Sequence, residues 1–362
     1  MSVRHFLYLV ATDQKKGWGI QVLKSVLGLL SCLYGFVVLI IGWAYRGGLF
    51  RTIRLARPVV SVGNMTLGGV GKTPLVELIA AALKEKNIKP VVLIRGYMSP
   101  ICSRKSGVGR RSLSDEARML VASLGDVPVL VGADRVKNAV NFLKGHTADI
   151  FLLDDGFQHR RIFRQLDIVA IDATDPWGNG CLIPRGILRE PFRALRRAHM
   201  VVLTKTDLGG SNVPQIKARL QTLGLTLPVI ETIHQPCALV DVRLKTTTSM
   251  SFLKGKTICS FCSIGHPKTF EMTLVNLGAQ LAKSFSFIDH HVYEEDDIAR
   301  IARYCQADGI DTVVTTQKDA VKLEQWLRFF PASFKVLSLQ IKISIVKGKE
   351  EFFERIDHLL QR

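Results

Sequence analysis

From Ser25 to Tyr45 the run SVLGLLSCLYGFVVLIIGWAY is uncharged, and it is bracketed by Lys24 and Arg46. At about 1.5 Å of rise per residue, a helix of this length just crosses a hydrocarbon core of about 30 Å. The run is too long for a signal peptide, and no small-residue cleavage site follows it. Arg46, Arg51, Arg54 and Arg57 come next, with Trp43 and Tyr45 at the boundary. That order predicts a downstream chain held on the cytoplasmic side, with the aromatics at headgroup level. Gly28, Gly35 and Gly42 recur every seven residues and so share a helix face. Glycine costs about 1 kcal/mol inside a helix, so its recurrence predicts a close-packed partner on that face. The segment is expected to be tied to a membrane, either spanning it or lying in one leaflet.

Beyond the arginines the pattern changes to short apolar runs alternating with amphipathic stretches. Pro58 to Val62 reads as a buried strand, and Leu75 to Lys86 reads as a helix with apolar positions at 75, 76, 78, 79, 82 and 83. Two further apolar runs end in polar residues, Asp149 to Asp155 and Val201 to Asp207. The alternation restarts after about Leu239. Strands are expected near 257–263, 283–288, 311–315 and 335–340, and helices near 267–280, 294–307, 318–328 and 348–361. Thr232 to Thr248, with Pro236 among polar and basic residues, reads as a connector. Strands alternating with helices predict α/β architecture with parallel sheets.

Between the strand ending at Val62 and the helix starting at Leu75 lies GNMTLGGVGKTP, residues Gly63 to Pro74. A strand, a glycine-rich loop and a helix form the setting in which backbone N–H groups and a helix N-terminus bind phosphate. The predicted nucleotide-binding residues are Thr66, Leu67, Gly68, Gly69, Val70, Gly71, Lys72 and Thr73. Lys72 is expected to reach the β- and γ-phosphates, and the Thr73 hydroxyl to meet magnesium. The usual loop has glycine where Thr66 stands, so Gly68 and Gly69 are expected to supply the backbone freedom. Strand ends in a parallel sheet converge on the ligand crevice, which makes Asp154 and Asp155 the candidate magnesium carboxylates. Thr204-Lys205-Thr206-Asp207 resembles the guanine-reading loop of GTPases, so a membrane-tethered GTPase or ATPase switch is the alternative reading. The predicted organisation is an N-terminal membrane-associated helix with its basic flank (1–50), a P-loop NTPase-type parallel-sheet domain (51–235) and a smaller second α/β domain (236–362).

Charge narrows the partner. Lysine and arginine number 49 against 31 acidic residues, a net charge of +18 that suits an anionic membrane or a phosphorylated substrate. No nucleic-acid module or interleaved aromatic stripe accompanies it, so nucleic acid is not expected. The seven cysteines are scattered and odd in number, which predicts a reducing compartment. Cys259 and Cys262 lie three apart on a predicted strand and face opposite sides, and no second such pair completes a zinc site. Asp289-His290-His291 likewise lacks a nearby third ligand of suitable spacing.

Taken together, these blocks resemble the tetraacyldisaccharide 4'-kinase family of lipid A synthesis. The resemblance covers nearly the whole chain. After the apolar helix and the glycine loop come Arg95-Gly96-Tyr97, Ser114-Asp115-Glu116 and Asp154-Asp155-Gly156-Phe157-Gln158-His159. Gly178-Asn179-Gly180 and the stretch Pro184 to Pro191 follow, then Ile264-Gly265-His266-Pro267, Phe287 to His291 and Thr316-Gln317-Lys318-Asp319. The resemblance implies transfer of the ATP γ-phosphoryl group to the 4'-hydroxyl of a tetraacylated disaccharide 1-phosphate, with Mg2+, on the cytoplasmic face of a bacterial inner membrane. It implies an amphiphilic phosphoglycolipid substrate and no obligate protein partner. It also gives Asp115, paired with His290, the task of activating the hydroxyl, a poor nucleophile that needs an accepting group within reach. Glu116, Gln158, His159, Arg189 and Glu190 would lie around the substrate or behind the catalytic groups. Ser114, Ala117, Arg185-Gly186-Ile187 and Gln317 depart from the family pattern; they bear on loop shape and substrate contacts rather than on the catalytic groups. Lys72→Ala and Asp115→Ala are each predicted to abolish phosphoryl transfer, and Lys72→Ala also to weaken ATP binding; near-normal turnover of either purified variant would contradict this.

Overall fold

The computed structural model describes Phe6 and residues 9–96, 115–265, 267–289 and 291–361, without the side chains of Asp115 and Glu116. These residues fall into two compact units. The first takes in the described parts of Met1–Val108, Leu124–Ile233 and Ser344–Arg362; the second takes in His234–Ile343 and the described part of Gly109–Ser123. Residues after Ser344 thus group with the first unit, whereas the sequence reading ran the second domain through to 362.

In chain order the helices and strands begin with α1 (Trp18–Arg46), β1 (Val59–Asn64), α2 (Lys72–Glu85), β2 (Pro90–Ile94), α3 (Asp115–Leu124), β3 (Val129–Val131) and α4 (Arg135–Leu143). Next come β4 (Ile150–Asp154), β5 (Leu166–Asp172), β6 (Met200–Thr204), α5 (Val213–Thr222), β7 (Val229–Asp241) and β8 (Thr247–Thr248). The last are β9 (Thr257–Cys262), α6 (Pro267–Asn276), β10 (Gln280–Ser286), α7 (Glu295–Ala307), β11 (Thr312–Thr316), β12 (Lys335–Lys347) and α8 (Lys349–Asp357).

In the first unit β3, β2, β4, β1, β5, β6 and the start of β7 lie side by side in that order, each neighbouring pair parallel. Every residue of β1, β2, β4, β5 and β6 is buried. This explains why they read as unbroken apolar runs, since a parallel sheet is covered on both faces. The chain leaves β1 toward β2 on one side, and after β4 it crosses to β5 on the other. The carboxyl end of β1 is therefore a switch point, where open α/β sheets bind ligands.

Helix α1 begins at Trp18, six residues before the run predicted from Lys24. Leu27, Ser31, Gly35 and Gly42 form its buried stripe, while Leu29, Leu33, Phe36 and Trp43 on the other sides are exposed. The close-packed partner predicted for the glycine face is the first unit itself. A methyl group on Gly35 would come within 2.8 Å of Leu182 Cδ1, and one on Gly42 within 2.6 Å of Arg160 Nη1. Gly28 has nothing within 4 Å of that position and does not share this role.

The second unit is a parallel sheet in the order β10, β9, β11, β12. Cys259 and Cys262 are fully buried on opposite faces of β9: Cys259 packs with Ile301 and Cys305, and Cys262 with Phe270 and Leu274. Two expectations fail. The stretch 232–248 is mostly strand, because Thr232, Leu239 and Asp241 supply a buried series that the intervening polar residues mask in the sequence. The helix expected over 318–328 is a single turn, Gln317–Ala320, with a 3-10 turn at Leu327–Phe329. There Asp319 is fully buried and accepts bonds from the Ser263 N–H at 2.9 Å and the Thr316 hydroxyl at 2.7 Å. Anchoring of this kind, with Phe330 packed into the core, overrides helix propensity.

Candidate active site

The glycine loop predicted to bind phosphate hangs from the end of β1. A methyl group on Gly63 would lie 2.5 Å from the Phe157 backbone nitrogen, so only glycine lets the β1 and β4 ends approach this closely. Gly68 takes φ of +111° and Gly71, the residue capping α2, takes φ of +87°. Gly68 thus supplies the freedom that Thr66 cannot. Thr66 instead bridges to Leu188, and the Leu67 N–H donates to the Ile187 carbonyl at 2.7 Å. Lys72 is the first residue of α2, and buried Thr73 is the second.

Charge concentrates at this point. Lys72 Nζ donates to Asn64 Oδ1 at 3.1 Å and lies 3.3 Å from Asp155 Oδ1. Arg189 grips the same carboxylate with both terminal nitrogens, at 2.8 and 3.2 Å, and reaches Asn64 Oδ1 at 3.3 Å. Burial alone would raise the Asp155 pKa, but Lys72 and Arg189 outweigh it and hold the group well below the usual carboxylate range. Asp155 itself sits at φ of +48°, a left-handed turn that lets its N–H donate to Asp154 Oδ1 at 2.9 Å. Asp154 is 2% exposed. Asp154 ends β4, Asp155 follows it and Thr73 stands in the first turn of α2, and all three offer hard oxygen donors.

Several expected neighbours hold this centre in place. Gln158 Nε2 donates to the Asn64 carbonyl at 2.9 Å. Glu190 is almost wholly buried and accepts from Arg160 at 2.7 Å and from both terminal nitrogens of Arg197 at 2.8 and 2.9 Å. Burial and the nearby Arg135, Arg164 and Arg161 push the His159 pKa down to about 4, so the ring is neutral at pH 7. Asp115 opens α3, but its side chain, that of Glu116 and the whole of His290 lie outside the described residues. Beside that position Lys318 Nζ donates to Asp289 Oδ1 at 2.7 Å.

The LpxK family model, described as tetraacyldisaccharide-1-P 4'-kinase, matches residues 23–361. The chain belongs to this family. It is 38% identical over 333 residues to the tetraacyldisaccharide 4'-kinase of Syntrophus aciditrophicus, covering 88% of this chain and 89% of that protein. It is 34% identical to the Halothermothrix orenii enzyme of the same name, covering 93% of each chain. The fold matches LpxK from Aquifex aeolicus, solved in complex with ATP, with a TM-score of 0.72 and 28% identity over 93% of this chain and 99% of that one. A member of this family is a kinase of lipid A biosynthesis, which displaces the GTPase-switch alternative.

Sequence reasoning misread one part of the kinase. Thr204 and Lys205 are buried beneath the phosphate loop. Thr204 Oγ1 donates to the Val70 carbonyl at 2.8 Å, Lys205 Nζ donates to the Gly69 carbonyl at 3.3 Å, and Lys205 pairs closely with buried Asp172. The signal was a polar residue ending each of two neighbouring strands, Asp172 on β5 and Thr204 on β6. Asn64, buried at the end of β1, was also passed over, although it takes bonds from both Lys72 and Arg189. Removing one partner of a buried ion pair costs about 3–5 kcal/mol, because the other is left uncompensated. Lys205→Met is therefore predicted to lower unfolding stability by about that amount, and Lys205→Met combined with Asp172→Leu to recover much of it. Chemical denaturation measures both, and an unchanged midpoint in the single variant would contradict the pairing.

Proposed function

We propose that the kinase transfers the γ-phosphoryl group of ATP to the 4'-hydroxyl of a tetraacylated disaccharide 1-phosphate, with nucleotide held at the end of β1. The observation that carries this reading is the Lys72–Asp155–Arg189 cluster beneath a glycine loop that opens a helix. The loop N–H groups and the α2 N-terminus receive the phosphates, and Lys72 turns from Asp155 toward them. Asp155 is an exchangeable anion: it neutralises Lys72 in the absence of nucleotide, and its side chain keeps 33% of its surface exposed. Thr73, Asp154 and Asp155 would hold Mg2+, which takes oxygen ligands and needs only one or two protein carboxylates beside the phosphates. When bound, the ion supplies neutralisation of charge on the transferring phosphoryl group. Asp115, oriented by His290, accepts the proton of the attacking hydroxyl.

Support for membrane attachment comes from α1, which is long and apolar enough to cross a membrane and leaves most of its apolar side chains exposed. Contacts with the first unit run from Lys24, paired with Asp13 at 2.5 Å, through Ser31 and Tyr34 to Gly42. A helix seated on its own protein by one stripe along this length leaves the rest of its apolar surface for lipid. We therefore read it as lying in one leaflet, on the cytoplasmic face of the inner membrane, beside its amphiphilic substrate.

The test is transfer of label from γ-labelled ATP, and separately GTP, to the lipid acceptor in detergent micelles, with and without a Mg2+ chelator. Labelled lipid formed from ATP, lost on chelation and restored by Mg2+, is the expected result. Nucleotide hydrolysis with no lipid product would overturn the reading.

A further inference from the structure

The segment 182–190 is bonded on one side to the membrane helix and on the other to the phosphate loop. On the helix side, Tyr34 Oη donates to the Arg189 carbonyl at 2.7 Å. Ser31 Oγ lies 2.8 Å from the Leu182 carbonyl and accepts the Arg185 N–H at 2.9 Å. On the loop side, the Arg189 N–H donates to the Met65 carbonyl and the Leu67 N–H to the Ile187 carbonyl, both at 2.7 Å. One residue, Arg189, thus bonds through its carbonyl to α1, through its N–H to the phosphate loop and through its guanidinium to Asp155. The opposite face of α1 carries exposed Leu29, Leu33 and Phe36.

We propose that Tyr34 is a positioning residue for the nucleotide site, and that through it the seating of α1 in a bilayer strengthens ATP binding. The proposal rests on the nucleotide reading given above. Asp155 Oδ1 is shared between Arg189 at 2.8 Å and Lys72 at 3.3 Å, so the more firmly Arg189 holds it, the more weakly it holds the ammonium that must turn to phosphate. With the outer face of α1 in solution, the helix and its hydrogen bond to the Arg189 carbonyl have more freedom, Arg189 holds Asp155 less firmly, and Asp155 holds Lys72 more strongly against the incoming phosphates. Ser31, bonded one helical turn away, steadies the same segment. Coupling of this kind is reciprocal, so ATP must raise the affinity of the chain for the membrane by the same factor that the membrane raises its affinity for ATP. A single neutral hydrogen bond sets the scale at about three- to tenfold.

The experiment measures the affinity of the full chain for a non-hydrolysable ATP analogue at submicromolar protein, as vesicles of phosphatidylethanolamine and phosphatidylglycerol are added from zero. The same titration is run on Tyr34→Phe and Ser31→Ala, with vesicle partitioning recorded by co-sedimentation. Wild type is expected to bind the analogue about three- to tenfold more tightly on vesicles and, reciprocally, to partition more strongly when the analogue is present. Tyr34→Phe is expected to partition as wild type does without nucleotide but to lose this coupling, with Ser31→Ala reducing it. Equal analogue affinity with and without vesicles in wild type would overturn the proposal, and so would full coupling in Tyr34→Phe. Failure of the underlying nucleotide reading is distinguishable, because Arg189→Ala would then leave analogue affinity unchanged in every condition.

Discussion

Positive charge gathered, buried or half-buried, at the carboxyl ends of one parallel sheet is the constraint to which the rest of the kinase is fitted. Lys72, Arg189 and Lys205 meet there, and a buried cation without a partner costs several kcal/mol. Two carboxylates answer them in different ways. Asp172 is 2% exposed and closes permanently on Lys205 beneath the loop. Asp155 is more accessible and accepts both Lys72 and Arg189, which is why we propose that incoming phosphates replace it as the partner of Lys72. On that proposal the loop is built on a fixed ion pair below and an exchangeable one in front.

The membrane helix is drawn into the same arrangement. Its buried stripe of Leu27, Ser31, Gly35 and Gly42 is narrow and small, so the helix lies close against the segment that delivers Arg189 and Glu190. Arg185, one of the departures from the family pattern, pairs with Asp13 just before the helix at 2.9 Å, and Lys24 on the helix pairs with the same carboxylate. The apolar helix and the glycine loop proposed to hold nucleotide are thereby neighbours across a few residues of backbone.

Much of this was legible in the residues. GNMTLGGVGKTP between an apolar run and an amphipathic one identified the loop, and the apolar run ending in Asp154-Asp155 identified the adjacent strand, because both depend on local pattern. The roles of Thr204 and Lys205 were not legible. Their bonds go to Gly69, Val70 and Asp172, which only the sheet order brings together, and the local string T-K-x-D suggested base reading instead. The same holds for Tyr34: an aromatic within an apolar run looks like any other lipid-facing residue until its hydroxyl is found on the Arg189 carbonyl. The helix expected over 318–328 failed for a related reason, since buried bonds from Ser263 to Asp319 reach across 56 residues of sequence.

The most direct test of the exchangeable-anion account is the affinity of Asp155→Asn for ATP in metal-free buffer, compared with the parent chain. The account predicts tighter binding by the variant, because Lys72 no longer has a carboxylate to leave, together with loss of the gain that Mg2+ gives the parent. Weaker metal-free binding by Asp155→Asn would contradict it and would make Asp155 a fixed support of the loop rather than an anion that nucleotide displaces.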